Sequence, residues 1–249
     1  MVTLLRRGAS LCGAARAAAP TSTTGTVRSA GSRHGARGWD WFHKERERRE
    51  VDETLGDVDR RRQRGAHSLH YAPLREGHVR PRAYFDVEED GAPFGRMVFE
   101  LANDVVPRTV ENFRNFIEGA VVPGSDGEVS YVGTPLHRVA KDFLVQGGDV
   151  ENGDGSGGFC SFPESRYFDD ENTVLAHPER GVLSMANSGV HQNGSQFFVT
   201  LADQSHLDGR CVAFGRLVEG DDVLDAVANV FCVHQKPLKP LTIAACGLL

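Results

Sequence analysis

Residues 136–149 read LHRVAKDFLVQGGD. Two short apolar runs flank a Lys141-Asp142 turn, a pattern of strand, turn and strand that predicts a β-hairpin. Arg138 and Gln146 are set beside Phe143 and Leu144, and the turn residue Asp142 is the only carboxylate between them. A strand arginine is ordinarily a surface residue. The stretch thus raises a chemical question as well as a structural one: what use a guanidinium and an amide have among apolar side chains.

The same texture continues on both sides. Upstream, AYFDVEEDGAPFGRMVFEL (83–101) reads as a hairpin, with strands Tyr84–Val87 and Gly95–Leu101 about a turn in EEDGAP. PRTVENFRNFIEGA (107–120) switches to helical period, with Val110, Phe113 and Ile117 on one face, Pro107 in the first turn and Gly119 at the stop. Further strands are predicted over Thr134–Val139, Phe143–Gln146, Gly181–Met185, Phe197–Thr200, Val212–Val218 and Leu241–Cys246. EGDDVLDAVANV predicts a second helix, with Asp221 and Asp222 at its positive end and Val223, Leu224 and Val227 facing inward. Many short strands with two helices between them predict a mainly β fold, a closed eight-stranded antiparallel β-barrel capped by two α-helices and preceded by an N-terminal extension. The glycines of GDVENGDGSGG (148–158) lead into FCSFPES, which has no helical pattern, so a phosphate-binding loop is disfavoured.

Charge divides the chain. Residues 1–82 hold 17 Lys+Arg against 9 Asp+Glu, and residues 83–249 hold 11 against 25. An acidic C-terminal part argues against nucleic-acid binding, which needs cations to neutralise phosphates. No run approaches the ~18 apolar residues of a membrane helix, so no membrane span is expected. Residues 1–39 carry Arg6, Arg7, Arg16, Arg28, Arg33 and Arg37 in an Ala/Ser/Thr/Gly-rich background without an acid. That composition predicts a mitochondrial transit peptide and a matrix location. Residues 40–82 read as a charged linker or helical extension. Trp41 and Phe42, adjoining Trp39, are either a docking patch for a protein partner or aromatics that touch the domain's own surface. Cys12, Cys160, Cys211, Cys232 and Cys246 include no C-x-x-C and no zinc spacing, and are read as reduced thiols.

The segments FDV, GRMVFELANDVVPRTVENFRNF, LHRVAKDFLVQGGD, GDGSGG, FDDEN, GVLSMANSG, NGSQFFVT, LDGRCVAFGRLVEG and TIAACGLL resemble, in order and spacing, the cyclophilin family of peptidyl-prolyl cis-trans isomerases, over 83–249. The resemblance implies catalysis of rotation about X-Pro bonds in proline-containing polypeptides, assistance to protein folding, and no metal or other cofactor. It implies catalytic roles for Arg138, Gln146 and Asn187, with Asn187 gripping the residue before the proline. It assigns Phe143, Leu144, Phe198 and Leu207 to the slot for the proline ring, and Gln196 to another peptide contact. Ser188, His206 and Cys211 also belong to the substrate-binding set, but each departs from the family pattern: Ser188 replaces a common Ala, His206 a rim Trp, and Cys211 a pocket His. The altered rim predicts weakened binding of cyclosporin, because a Trp supplies apolar area and an indole donor.

The chemistry answers the question posed by residues 136–149. Rotation about X-Pro has a barrier of roughly 18–20 kcal/mol, set by amide resonance. As the bond twists, the prolyl nitrogen regains its lone pair, and a cationic donor aimed there stabilises the twisted state above either planar isomer. Gln146 is expected to orient Arg138 and hold the substrate carbonyl without neutralising the charge. The rival readings are a proline-peptide binding module of little or no activity, an accessory subunit of a mitochondrial complex, and a holding chaperone. On patterning alone His137 is a buried structural residue, Phe143, Phe198 and Leu207 serve equally as core, and Asn187 and Gln196 can simply satisfy backbone groups.

Overall fold

The computed structural model of the protein describes residues 79–122 and 127–249. The readings of residues 1–39 and of the extension up to residue 78 lie outside these. Strands β1 (Arg82–Glu89) and β2 (Ala92–Leu101) form the predicted hairpin, each longer than expected. Their two-residue turn is Asp90-Gly91, with φ of 53° and 79°, and a turn with both residues left-handed matches the natural twist of paired strands.

Helix α1 (Pro107–Glu118) buries Val110, Phe113 and Ile117, as its period predicts, and also Phe116. Its free N-terminal donors are met from outside the helix. The Glu171 carboxylate accepts from the backbone N–H groups of Arg108 (3.1 Å) and Thr109 (2.9 Å) and from Thr109 Oγ1 (2.9 Å). After two residues of β3 (Ala120–Val121) and two of β4 (Glu128–Val129) come β5 (Arg138–Ala140), β6 (Leu144–Gly147), β7 (Val182–Asn187) and β8 (Asn193–Thr200). A short 3-10 turn, Ser205–Leu207, precedes β9 (Ala213–Glu219) and α2 (Asp221–Ala228), followed by β10 (Cys232–Val233), β11 (Lys236–Pro237) and β12 (Leu241–Leu248). Gly220, at φ 91°, turns β9 into α2 so tightly that a Cβ there would lie 2.2 Å from the Arg96 carbonyl oxygen.

Eight strands form one antiparallel sheet in the order β12-β1-β2-β9-β7-β8-β6-β5. The expected closed barrel is corrected: the sheet curls into a half-barrel whose edge strands, β5 and β12, do not pair. Of the predicted strand Thr134–Val139, only Arg138–Ala140 forms a regular ladder. Ahead of it the chain meets β12 only through an isolated bridge at Pro135 and Thr242 and bonds such as Leu136 N–H to the Leu241 carbonyl (2.8 Å).

The concave face holds the core. Phe85 stacks on Phe197 at 5.3 Å between centroids, and Phe113 packs on Phe214 at 4.9 Å. Tyr131, wholly buried among them, donates its hydroxyl to the Ser195 carbonyl oxygen at 2.7 Å, so its one polar atom is satisfied. Side chains alternate faces along a strand, so the same backbones present a second set outward. Val139, Val145, Leu183, Met185, Phe197 and Val199 face the core, whereas Leu144, Ala186 and Phe198 belong to a separate apolar cluster on the other face.

Candidate active site

Strand register builds the site. Arg138 on β5 pairs with Gln146 on β6, Gln146 with Phe198 on β8, and Phe198 with Ser184 on β7. Partners across a ladder share a face, so a guanidinium, an amide and an aromatic ring stand in one row. Beside the row, Leu144, Phe198 and Leu207 are buried together, with Phe143, Ala186 and Cys211 packed against them. The apolar residues expected to line a slot are therefore brought together outside the main core.

Arg138 is held by amides. Its Nε donates to Gln235 Oε1 at 2.7 Å and its Nη1 to Gln146 Oε1 at 3.3 Å. The guanidinium lies 5.8 Å from the centre of the Phe143 ring. Burial lowers its pKa from the ordinary arginine value, which still leaves it fully charged at neutral pH. A chain of amides then runs away from it. Gln146 Nε2 donates to Gln196 Oε1 (2.8 Å), and Gln196 Nε2 donates to the carbonyl oxygens of Gly155 (3.1 Å) and Gly157 (2.8 Å). Each amide accepts at oxygen and donates at nitrogen, so the chain has one consistent direction.

The loop at its end is tied by Asp149. This buried carboxylate accepts from the backbone N–H groups of Glu151 (3.1 Å), Asn152 (3.0 Å), Asp154 (3.2 Å), Gly155 (2.8 Å) and Gly157 (3.1 Å). Burial raises its pKa, but the amides of Asn152, Gly157, Gly155 and Glu151 outweigh that and hold it below the usual aspartate value. His137 next to Arg138 is buried, and desolvation holds its pKa below the ordinary histidine value, so it is neutral at pH 7.

The remaining candidates form the rim. Asn187, at the end of β7, donates from Nδ2 to the Arg210 carbonyl oxygen at 2.9 Å. Ser188 is exposed and donates to Gln192 Oε1 at 2.8 Å. His206 stacks on Phe143 at 5.7 Å with 24° between the rings, and Cys211 is half-buried against the apolar cluster.

Two contributors escaped the sequence reading. Gln235 comes 97 residues after the arginine it touches, in a segment without apolar periodicity. The other is a buried polar chain beneath the slot. His177 pairs through Nδ1 with Asp208 Oδ1 (3.0 Å) and through Nε2 with Ser184 Oγ (2.9 Å), and its ring stacks on Phe198 at 6.0 Å. Asp208 follows Leu207 directly, so this histidine ties the floor residue Phe198 to the rim.

A family model described as cyclophilin type peptidyl-prolyl cis-trans isomerase/CLD matches residues 84–248. The chain belongs to this family. The match takes in all but the first two residues of the sheet and every element of the site, so the domain is a cyclophilin-type peptidyl-prolyl cis-trans isomerase that binds proline-containing peptides. No helix among the described residues is long and apolar enough to cross a membrane.

Proposed function

We propose that this isomerase stabilises the half-rotated X-Pro bond with the Arg138 guanidinium and serves protein folding in the mitochondrial matrix. The observation that carries the catalytic part is the register row: it sets Arg138 and Gln146 beside the apolar cluster of Leu144, Phe198 and Leu207. The proline ring enters that cluster, with Phe143 as its wall. Arg138 then faces the prolyl nitrogen as the nitrogen pyramidalises, and amide oxygens orient the guanidinium while leaving it cationic. Gln146 positions Arg138 and holds the substrate carbonyl, Asn187 grips the residue preceding the proline, and Gln196 keeps Gln146 in place while contacting the peptide. Ser188, His206 and Cys211 complete the rim.

Cis-trans exchange of an Ala-X-Pro peptide, measured by NMR with the full chain, tests this. Arg138→Ala should lower the catalysed rate by on the order of a hundredfold, the usual effect of deleting one preorganised donor. An unchanged rate would overturn the role of Arg138. Binding without turnover in the unsubstituted protein would favour the binding-module or accessory-subunit reading, and binding indifferent to proline the holding chaperone. The rim supports a further expectation, that cyclosporin binds weakly, because an imidazole covers less apolar surface than an indole. Calorimetric titration giving nanomolar affinity would contradict it.

A further inference from the structure

The β10–β11 hairpin stands beside Arg138 and carries an apolar face that the chemistry described so far leaves unused. Its turn is His234-Gln235, with φ of 51° and 65°. Neither residue is glycine, so the left-handed turn carries strain, and it is held by two bonds from β5. Val139 N–H donates to the Gln235 carbonyl oxygen (2.7 Å), and Arg138 Nε to its side-chain oxygen (2.7 Å). The hairpin is thereby registered against the catalytic strand.

Pairing decides which side chains share a face. Cys232 pairs with Pro237, Val233 with Lys236, and Leu238 N–H bonds to the Phe231 carbonyl oxygen. Cys232 packs against the core, so Phe231, Val233 and Leu238, on the alternate positions, point outward together, with Lys236 beside Val233 on the same face. Their exposures are 86%, 57% and 71%. Exposed apolar residues scattered singly need no explanation, but three on one face, one of them aromatic, within eight residues form a contact surface.

We infer that this face binds the client polypeptide on the C-terminal side of its proline and selects for apolar residues there. The inference rests on the isomerase site as proposed above, and the order of elements sets the direction. Across the sheet the sequence of strands is β7, β8, β6, β5, and the hairpin lies beyond β5. A chain whose pre-proline residue is gripped by Asn187 on β7 therefore leaves the slot past Arg138 toward the hairpin. From Gln235 to Leu238 the hairpin extends about 10 Å at the usual strand rise. An extended client covers that distance in about three residues, so the second to fourth positions after the proline meet Phe231, Val233 and Leu238.

The test compares exchange rates of three peptides sharing one Ala-X-Pro core, using the full chain. One is followed by Leu, Val and Phe, one by Ser, Asn and Ser, and one carries the apolar triplet before the core. The first should exceed the second in kcat/KM by about threefold to tenfold, the discrimination typical of partly buried apolar side chains. That ratio should fall toward one in Phe231→Ser/Leu238→Ser and shrink independently in Val233→Lys, with unchanged melting temperatures. Equal rates for the first two peptides, a preference that survives both variants, or a gain only from the triplet before the proline would each overturn the inference while leaving the isomerase reading intact. Absence of turnover on all three would remove both.

Discussion

Arg138 shows how much one position depends on residues far from it. Two of its partners arrive from β6 and from the β10–β11 turn, and the second is bound at the shorter distance. Gln235 occupies backbone space that glycine enters more easily, at φ 65°. Gln235→Gly should therefore separate two effects. Melting temperature should hold or rise slightly, since relief of the left-handed strain offsets the lost bond, while kcat/KM falls about tenfold because the guanidinium is freer to turn. Parallel calorimetry and exchange kinetics check this, and a fall in stability with unaltered kinetics would count against positioning. Arg138 and Gln146 were legible in the sequence through the family resemblance of F-x-x-QGGD and NGSQFF, since a strand arginine alone is ordinarily a surface residue. Gln235 and His177 were not, because nothing local to either residue says which distant strand it will touch.

At the level of elements, hairpins whose strands carry apolar runs were readable and the one without them was not. The runs on either side of Asp90-Gly91 and of Lys141-Asp142 announced β1–β2 and β5–β6, whereas the segment around His234-Gln235 has no such pattern and gave no sign of β10 and β11. Strand ends also shifted: of the predicted strand Thr134–Val139 only Arg138–Ala140 is regular. The Gly148–Gly158 loop is the element whose stability can be read by pH. Asp149 has a folded pKa below its unfolded value of ~3.9, so its contribution is fully present above that value and is lost as pH falls through the folded one. Urea midpoints measured from pH 7 down to pH 2 should fall below about pH 4 in the unsubstituted protein. In Asp149→Asn the midpoint should be lower at neutral pH and the acid decline shallower. A decline of equal steepness in both would show that other carboxylates govern the acid limb.

For the molecule as a whole, the strand count and the two helices were readable from periodicity, but closure was not. A count of eight strands fits a barrel or an open sheet, and the choice turns on whether β5 and β12 pair, which depends on partners a hundred residues apart. The arginine-rich leader belongs to this scale too. Residues 1–40 fused to a fluorescent protein should direct it to mitochondria, and a fusion that stays cytosolic would remove the matrix location from the proposal.

The alternation of faces across β6, β7 and β8 has one more consequence. Val145, Phe197 and Met185 belong to the main core, and their immediate neighbours Leu144, Phe198 and Ala186 to the separate cluster proposed to receive the client. Stability and selectivity are thus written in interleaved letters of the same strands. Substitutions at the outward letters are expected to alter what the slot accepts while leaving the core packing in place.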